Sequence, residues 1–290
     1  MCWQRLDEPL DFAKPELMSS GAYLLAPVAM DSTEVYSLSV TNTGRFAFAT
    51  SIAAAASDLL TPDMSSSGLV TAFAASSQEA LQFLQAVARE TKPGTRGFNI
   101  VVGDGVSVAY WSNGCPAQPT VLAPGVYVLS NGLLNTPWPK CEYLRGRLAK
   151  KTATFLASTF AASARLAIVP GADGIRASRK ENYDICDSVL QVLCDQHHVL
   201  GDARFHALPS DELAPLAASV FLPPVVISPS TYFGTQTSIV AVIAPFGECL
   251  FAQRSLSSRF TGPLDSWNLS SLYSRRDVVF DRVATVKKMK

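Results

Sequence analysis

The spacing of apolar residues along the chain alternates between the two-residue period of strands and the longer period of helices. Val35–Val40 and Phe46–Thr50 read as strands, joined by a hairpin turn at Thr41-Asn42-Thr43-Gly44. Ser65-Ser66-Ser67 offers an N-cap for a helix entered at Gly68-Leu69-Val70, with Phe73 on the same face. A second helix is predicted from about Ser77. Its inward stripe is Leu81, Phe83, Leu84, Val87 and Ala88, and Pro93-Gly94 stops it. Strands follow at Phe98–Val102 and Val106–Trp111 around Gly103-Asp104-Gly105, with another at Gly125–Leu129.

From Pro139 a helix is expected to about Ala157, with Leu144, Leu148, Thr152 and Leu156 four apart. Ser158–Arg179 is rich in small residues and shows no period. Tyr183–His197 reads as a helix with Val189, Leu190 and Leu193 inward, and Pro209–Ala218 as a short one. Thr237–Ile243 and Cys249–Gln253 form a hairpin around Pro245-Phe246-Gly247, and Leu272–Val283 is a strand pair or extended tail. Ser51–Leu60 reads as a short buried element or packed loop. Hairpins outnumber βαβ crossovers and no Pro/Gly-rich linker divides the chain. The expectation is one α+β domain over residues 1–290, with helices covering antiparallel sheets.

Composition narrows the setting. Of 290 residues, 48% are hydrophobic and 17% charged, enough to bury a core. Twenty-four basic residues balance twenty-four acidic ones, so no net field favours nucleic acid or an anionic membrane. No apolar run reaches the roughly 18–20 residues that span a bilayer, and Met1–Glu8 lacks the pattern of a signal peptide. The six cysteines are Cys2, Cys115, Cys141, Cys186, Cys194 and Cys249, with no CxxC pair. Their scatter argues for a reducing compartment and against a structural zinc site.

Several segments, in order, resemble one family. They are Gly44-Arg45-Phe46-Ala47, Ser66-Ser67-Gly68-Leu69-Val70, Gly97-Phe98-Asn99-Ile100, Ser112-Asn113, Ser219-Val220-Phe221, Gly234-Thr235-Gln236-Thr237 and Leu264-Asp265-Ser266-Trp267. The most specific block joins Gly125–Asn131 to Thr136–Lys140. Together they are similar to the NRDE, or Transport and Golgi organisation two-like, family. The match runs from about Gly44 to the C-terminus. Met1-Cys2 fits the family's usual start, but the Asn-Arg-Asp-Glu tetrapeptide is absent from the first forty residues, so residues 1–43 form a divergent portion.

The resemblance implies the fold of N-terminal-nucleophile hydrolases, a four-layer αββα sandwich of antiparallel sheets. It implies a role in Golgi organisation, protein secretion and haem or lipid mobilisation. The corresponding protein would be cytoplasmic and associated with the Golgi, the endoplasmic reticulum or mitochondria. The ligand would be a small hydrophobic molecule such as haem or a lipid.

An alternative is an amide hydrolase. Removal of Met1 would give Cys2 a free α-amine able to act as base for its own thiol. By resemblance Asn131 is then the oxyanion donor, and Gln236 stands where the family has Arg, without the charge or fork of that residue. A third reading is a catalytically dead interaction scaffold. Arg45, Asn99, Trp138 and Lys140 are the candidate ligand-binding residues. Arg45, Arg96 and Lys140 would form a cationic rim for a carboxylate or propionate, or else remain separate solvated charges. Trp138 is a packed lid or an aromatic wall for a ligand. Cys115-Pro116 is a turn or a haem-responsive thiolate. His197-His198 cap a helix end or ligate a metal or haem, and His206 is a surface residue.

Overall fold

The computed structural model describes residues 2–5, 16–17, 23–24, 38–52, 66–95, 97–130, 132–166, 172–195, 220–221, 225–228, 231–235, 237–243, 248–256 and 273–281. The strands are β1 (Cys2–Arg5), β2 (Glu16–Leu17), β3 (Tyr23–Leu24), β4 (Leu38–Val40), β5 (Phe46–Ser51), β6 (Phe98–Gly103), β7 (Val108–Ser112), β8 (Thr120–Val121), β9 (Val225–Ser228), β10 (Thr231–Gly234), β11 (Thr237–Ile243), β12 (Glu248–Leu256) and β13 (Tyr273–Asp281). The helices are α1 (Ser66–Ala75), α2 (Ala80–Glu90), α3 (Pro139–Leu166) and α4 (Ala172–Leu193). Contacts group the chain into two compact units. One contains Met1–Leu10, Pro137–Ala244 and Glu248–Phe280, and the other Asp11–Thr136, Pro245–Gly247 and Asp281–Lys290. The result is a mixed α/β protein with antiparallel sheets.

In the second of these units, β4-β5-β6-β7-β8 form a sheet in sequence order, every pairing antiparallel. The expected β4–β5 hairpin is present. Its turn closes with the Thr41 amide donating to the Arg45 carbonyl at 2.8 Å, and Gly44 takes φ 80°, where a side chain would be strained. Alternation sends Ala47, Ala49, Phe98, Ile100, Val102, Ala109 and Trp111 to one face. There they bury against Leu69, Val70 and Phe73 of α1 and Phe83, Leu84 and Val87 of α2. Phe73 and Phe83 meet edge to face at 5.0 Å, which ties the two helices together.

The second helix starts at Ala80 rather than near Ser77. Its N-cap residue, Glu79, makes no side-chain capping bond. The cap comes from another element. Asp104, in the β6–β7 turn, accepts the Ala80 amide on Oδ2 at 2.8 Å, and the Val106 and Ser107 amides on Oδ1 at 2.9 and 2.8 Å. The helix also ends before Pro93-Gly94, at Glu90, where the Thr91 amide and hydroxyl both return to the Val87 carbonyl. The first helix already includes Ser66, so Ser66 and Ser67 lie inside it rather than before it.

The Gly125–Leu129 segment is a correction. It is not a strand but a loop that follows the short edge strand β8. The Val128 amide donates to Asn135 Oδ1 at 3.1 Å, and the Val128 carbonyl accepts the Asn135 amide at 2.9 Å. A side chain from the same loop thus answers the backbone group that a neighbouring strand would have taken. Asn135 sits at φ 59°, a conformation asparagine tolerates.

In the other unit, β1-β10-β9 form one three-stranded sheet and β11-β12-β13 another. The β11–β12 hairpin falls where expected, with Thr237 opposite Ser255 and Ile243 opposite Cys249. Cys186 and Leu190 of α4 pack on Val240, Leu250 and Ala252. The helix from Pro139 reaches Leu166, and α4 begins at Ala172, so most of the unassigned Ser158–Arg179 segment is helical. Its alanines favour a helix without supplying an apolar stripe that would reveal one. The end of α4 at Leu193 precedes His197-His198, which lie outside the described residues, as do His206, Pro209–Ala218 and most of Ser51–Leu60. Among the described residues, no helix is long and apolar enough to cross a membrane.

Asp104 gives a test of this frame. Burial alone would raise its carboxyl, but the amides of Ala80, Ser107 and Val106 outweigh that and hold it below its ordinary value of 3.8. A depressed folded-state value means that the stabilisation is complete above the unfolded value and is lost as pH falls through the folded one. Asp104→Ala should cost about 1 kcal/mol, the usual worth of a helix cap. Urea midpoints taken from neutral to acid pH should fall less steeply in the variant. Parallel curves for the two proteins would show that the carboxylate does not cap α2.

Candidate functional site

The face of the β4–β8 sheet away from the helices carries Thr50, Asn99 and Tyr110 by the same alternation. Asn99 is fully buried. Its amide nitrogen donates to Thr50 Oγ1 at 3.2 Å and to the Gly132 carbonyl at 2.9 Å, and its Oδ1 accepts the Tyr110 hydroxyl at 2.8 Å. Tyr110 also accepts the Leu134 amide at 3.1 Å, and Thr50 reaches the Ser130 carbonyl at 3.5 Å. The loop from Val128 to Thr136 is therefore held to three adjacent strands by side chains on one face. Burial raises the Tyr110 hydroxyl above its ordinary value, against the lowering effect of the Leu134 amide. It therefore stays protonated and can donate to Asn99.

The loop carries the Val126–Asn131 block. Asn131 itself lies outside the described residues, but the carbonyls of its neighbours Ser130 and Gly132 are both hydrogen-bonded to the sheet. Both amide hydrogens of Asn99 are engaged within the protein, so it contributes to this region by fixing the loop. Tyr110 was not among the residues singled out from sequence. Its position two strands from Thr50 and on the Asn99 face was the signal that would have found it.

Arg45 lies at the other end of β5. Five residues separate it from Thr50, about 17 Å of strand, so Arg45 and Asn99 do not form one cluster. The Arg45 Nη2 donates to the Gln78 carbonyl at 2.8 Å, to Ser76 Oγ at 3.3 Å and to the Phe73 carbonyl at 3.5 Å. Its guanidinium lies 4.1 Å from the Phe73 ring centre. Burial lowers its pKa, and the charge of Asp104 opposes that. A cation at the C-terminal end of α1 meets the negative end of the helix dipole.

Trp138 and Lys140 belong to the other unit. The Trp138 carbonyl accepts the Cys141 and Glu142 amides at 2.8 and 3.0 Å and so opens α3. Lys140 Nζ sits 5.8 Å from the centre of the Trp138 ring. These two do come together. In the same unit Cys2 begins β1, whose register pairs it with Gly234. Gln236 lies two residues further along and outside the described residues, as does Arg96. Cys115 is a half-buried free thiol in the loop after β7. Among the described residues, no three His, Cys, Asp or Glu side chains gather to hold a metal.

Tyr110→Phe removes one hydroxyl and strands both Asn99 Oδ1 and the Leu134 amide. The expected loss is about 1–3 kcal/mol, with faster hydrogen exchange at Leu134. Unchanged exchange there would show that the loop is held by other groups.

A family model described as Transport and Golgi organisation 2 matches residues 37–258. The chain is similar to the Transport and Golgi organization protein 2 homolog of Bos taurus, with 28% identity over 194 residues, 65% of this chain and 60% of the relative. It is 41% identical over 85 residues to the Transport and Golgi organization 2 homolog of Mus musculus, 27% of this chain and 30% of that protein. It is 39% identical over 77 residues to the Transport and Golgi organization protein 2 homolog of Homo sapiens, 25% of this chain and 28% of that protein. The matched stretch thus spans less than two thirds of each relative's length.

Proposed function

The chain belongs to the Transport and Golgi organisation 2 family, and from that premise we propose that it is a non-enzymatic or weakly enzymatic intracellular trafficking protein that carries a small hydrophobic ligand, haem or a lipid. Such a role would serve Golgi organisation and secretion from the cytoplasm, next to the Golgi, the endoplasmic reticulum or mitochondria. The observation that carries it is the family match over residues 37–258, which takes in both the anchored loop and the Trp138–Lys140 pair. A flat aromatic beside a cation suits an apolar ligand with an acidic group.

We read the fold as one family domain, a four-layer αββα sandwich. Its support is that each helix-covered sheet also has buried residues on its second face. Val101 and Asn99 are buried on that face in one unit, and Gln253 in the other. Residues buried on the second face of a sheet need something packed over them, and in the proposed sandwich a further layer supplies it.

Titration of the purified protein with haem should give a saturable spectral shift. A linear, unsaturating response would sink the haem reading.

The register of β1 favours one alternative, a hydrolase using Cys2. Cys2 pairs with Gly234, the first residue of the segment that resembles the family's Gly-Thr-Arg run. A thiol-directed acyl probe followed by mass spectrometry separates the two. Labelling of the N-terminal peptide that disappears in Cys2→Ala is expected of the enzyme, and labelling that persists in that variant would exclude it.

A further inference from the structure

Arg145 leaves two buried guanidinium nitrogens without a hydrogen bond, more than any other described side chain. It lies in the second turn of α3, four residues after Cys141, so the two share a helix face. Cys141 is 3% exposed, and that face points inward. One guanidinium nitrogen is accounted for, because Nη1 donates to Glu142 Oε1 at 2.9 Å. Nε and Nη2 are closed off from solvent and make no hydrogen bond.

Those two nitrogens lie along one edge of the planar guanidinium. It is the edge that grips both oxygens of a carboxylate in parallel. No other described arginine leaves two buried guanidinium nitrogens unpaired. Arg45 leaves only Nε, because its Nη2 serves three acceptors. Arg147 reaches Asp195 at 3.3 Å. An unanswered edge on a largely buried guanidinium is costly, and a carboxylate from outside the chain would relieve that cost.

We propose that the free edge of Arg145 receives a carboxylate of the bound ligand, an assignment that rests on the ligand-carrying role above. Glu142 holds the guanidinium from its other side and leaves the paired N–H groups presented together. The side chain as a whole keeps 29% of its surface exposed, so the edge lies just under the surface rather than deep in a core. Trp138 precedes Arg145 by two helical turns, about 10 Å along the axis, within the span of one porphyrin or one acyl chain. With Glu142 already beside it, a single guanidinium suits a monoanion. A phosphate dianion would meet the Glu142 charge with too little compensation.

Carboxylates could come from haem propionates or from a fatty acid, and free acid against ester distinguishes the sources. The full-length protein and its Arg145→Met and Arg145→Lys variants would be titrated, by quenching of tryptophan fluorescence, with haemin, haemin dimethyl ester, palmitate and methyl palmitate. The wild type should bind at least one free acid about tenfold tighter than its ester, roughly 1.4 kcal/mol. Arg145→Met should bring that ratio to near one, and Arg145→Lys should keep part of it, since lysine retains the charge without the fork. Ligand-free Arg145→Met should melt no lower than the wild type, because it removes an unanswered buried cation.

The proposal is overturned by equal binding of acid and ester to the wild type, by no binding of either acid, or by an acid preference that survives Arg145→Met. A drop of several degrees in the ligand-free melting point would overturn it too, by showing that the edge has a partner within the chain. An Arg145-dependent preference for palmitate without haemin binding would remove haem as the cargo and leave the carboxylate site standing.

Discussion

The amide of Asn99 has nowhere to go but inward. It sits in the middle strand of a five-stranded sheet, on the face away from the helices, with no exposed surface. A primary amide in such a place must find acceptors for two hydrogens and a donor for its oxygen, or the sheet loses stability. Thr50 and Tyr110 supply two of the three partners from adjacent strands, and Gly132 supplies the third from a loop. The loop cannot leave without exposing a debt on the sheet. This requirement turns a segment with no regular secondary structure into a fixed one, and that segment carries the residues most specific to the family.

The opposite end of the same sheet is tied down by charge. Arg45 closes the carbonyl end of α1, and Asp104 answers the amide end of α2. Both lie at hairpin ends, next to strands β5 and β6, and each corrects a helix end that its own sequence leaves open. The helices are thus set on the sheet by two groups of opposite sign, while the Phe73–Phe83 contact fills the space between them. The face on which the loop docks is free of this work. The division explains why Arg45 and Asn99, which the family resemblance joins in one set, lie about 17 Å apart along the strand.

Much of this was legible in the residues. The β4–β5 and β11–β12 hairpins and the stripe of α2 follow from periodicity, because each has one face in a core and the other outside it. The failures share a cause. The Gly125–Leu129 run looks like a strand because its apolar content is right, yet its backbone partner is Asn135, seven residues on, and no spacing rule reports a side chain that replaces a strand. The helical part of Ser158–Arg179 was hidden by small residues that fit a helix without marking a face. The start of α2 moved because its cap, Asp104, lies in a turn more than twenty residues away. Of the candidate site residues, the Trp138–Lys140 pairing was readable as sequence neighbours. The saturation of Asn99 was not, since it depends on which loop covers it.

Arg45 and Arg145 show why residue type alone could not rank the arginines. Both have buried nitrogens; the sequence singled out Arg45 as a ligand-binding candidate and did not single out Arg145. Arg45 faces three acceptors and an aromatic ring, so its cation is consumed by the fold. Arg145 has one carboxylate on one nitrogen and none on the edge best shaped for another. Methionine at position 45 would leave the carbonyls of Phe73 and Gln78 without their guanidinium donor, whereas at position 145 it would remove a guanidinium whose one hydrogen-bond partner among the described residues is Glu142. That unanswered edge is what the proposed ligand carboxylate would satisfy. The same comparison applied to Asn99 gives the opposite answer, since its bonds close within the chain. If a ligand is carried as proposed, the open edge of Arg145 is then a stronger candidate to meet it than the saturated amide of Asn99.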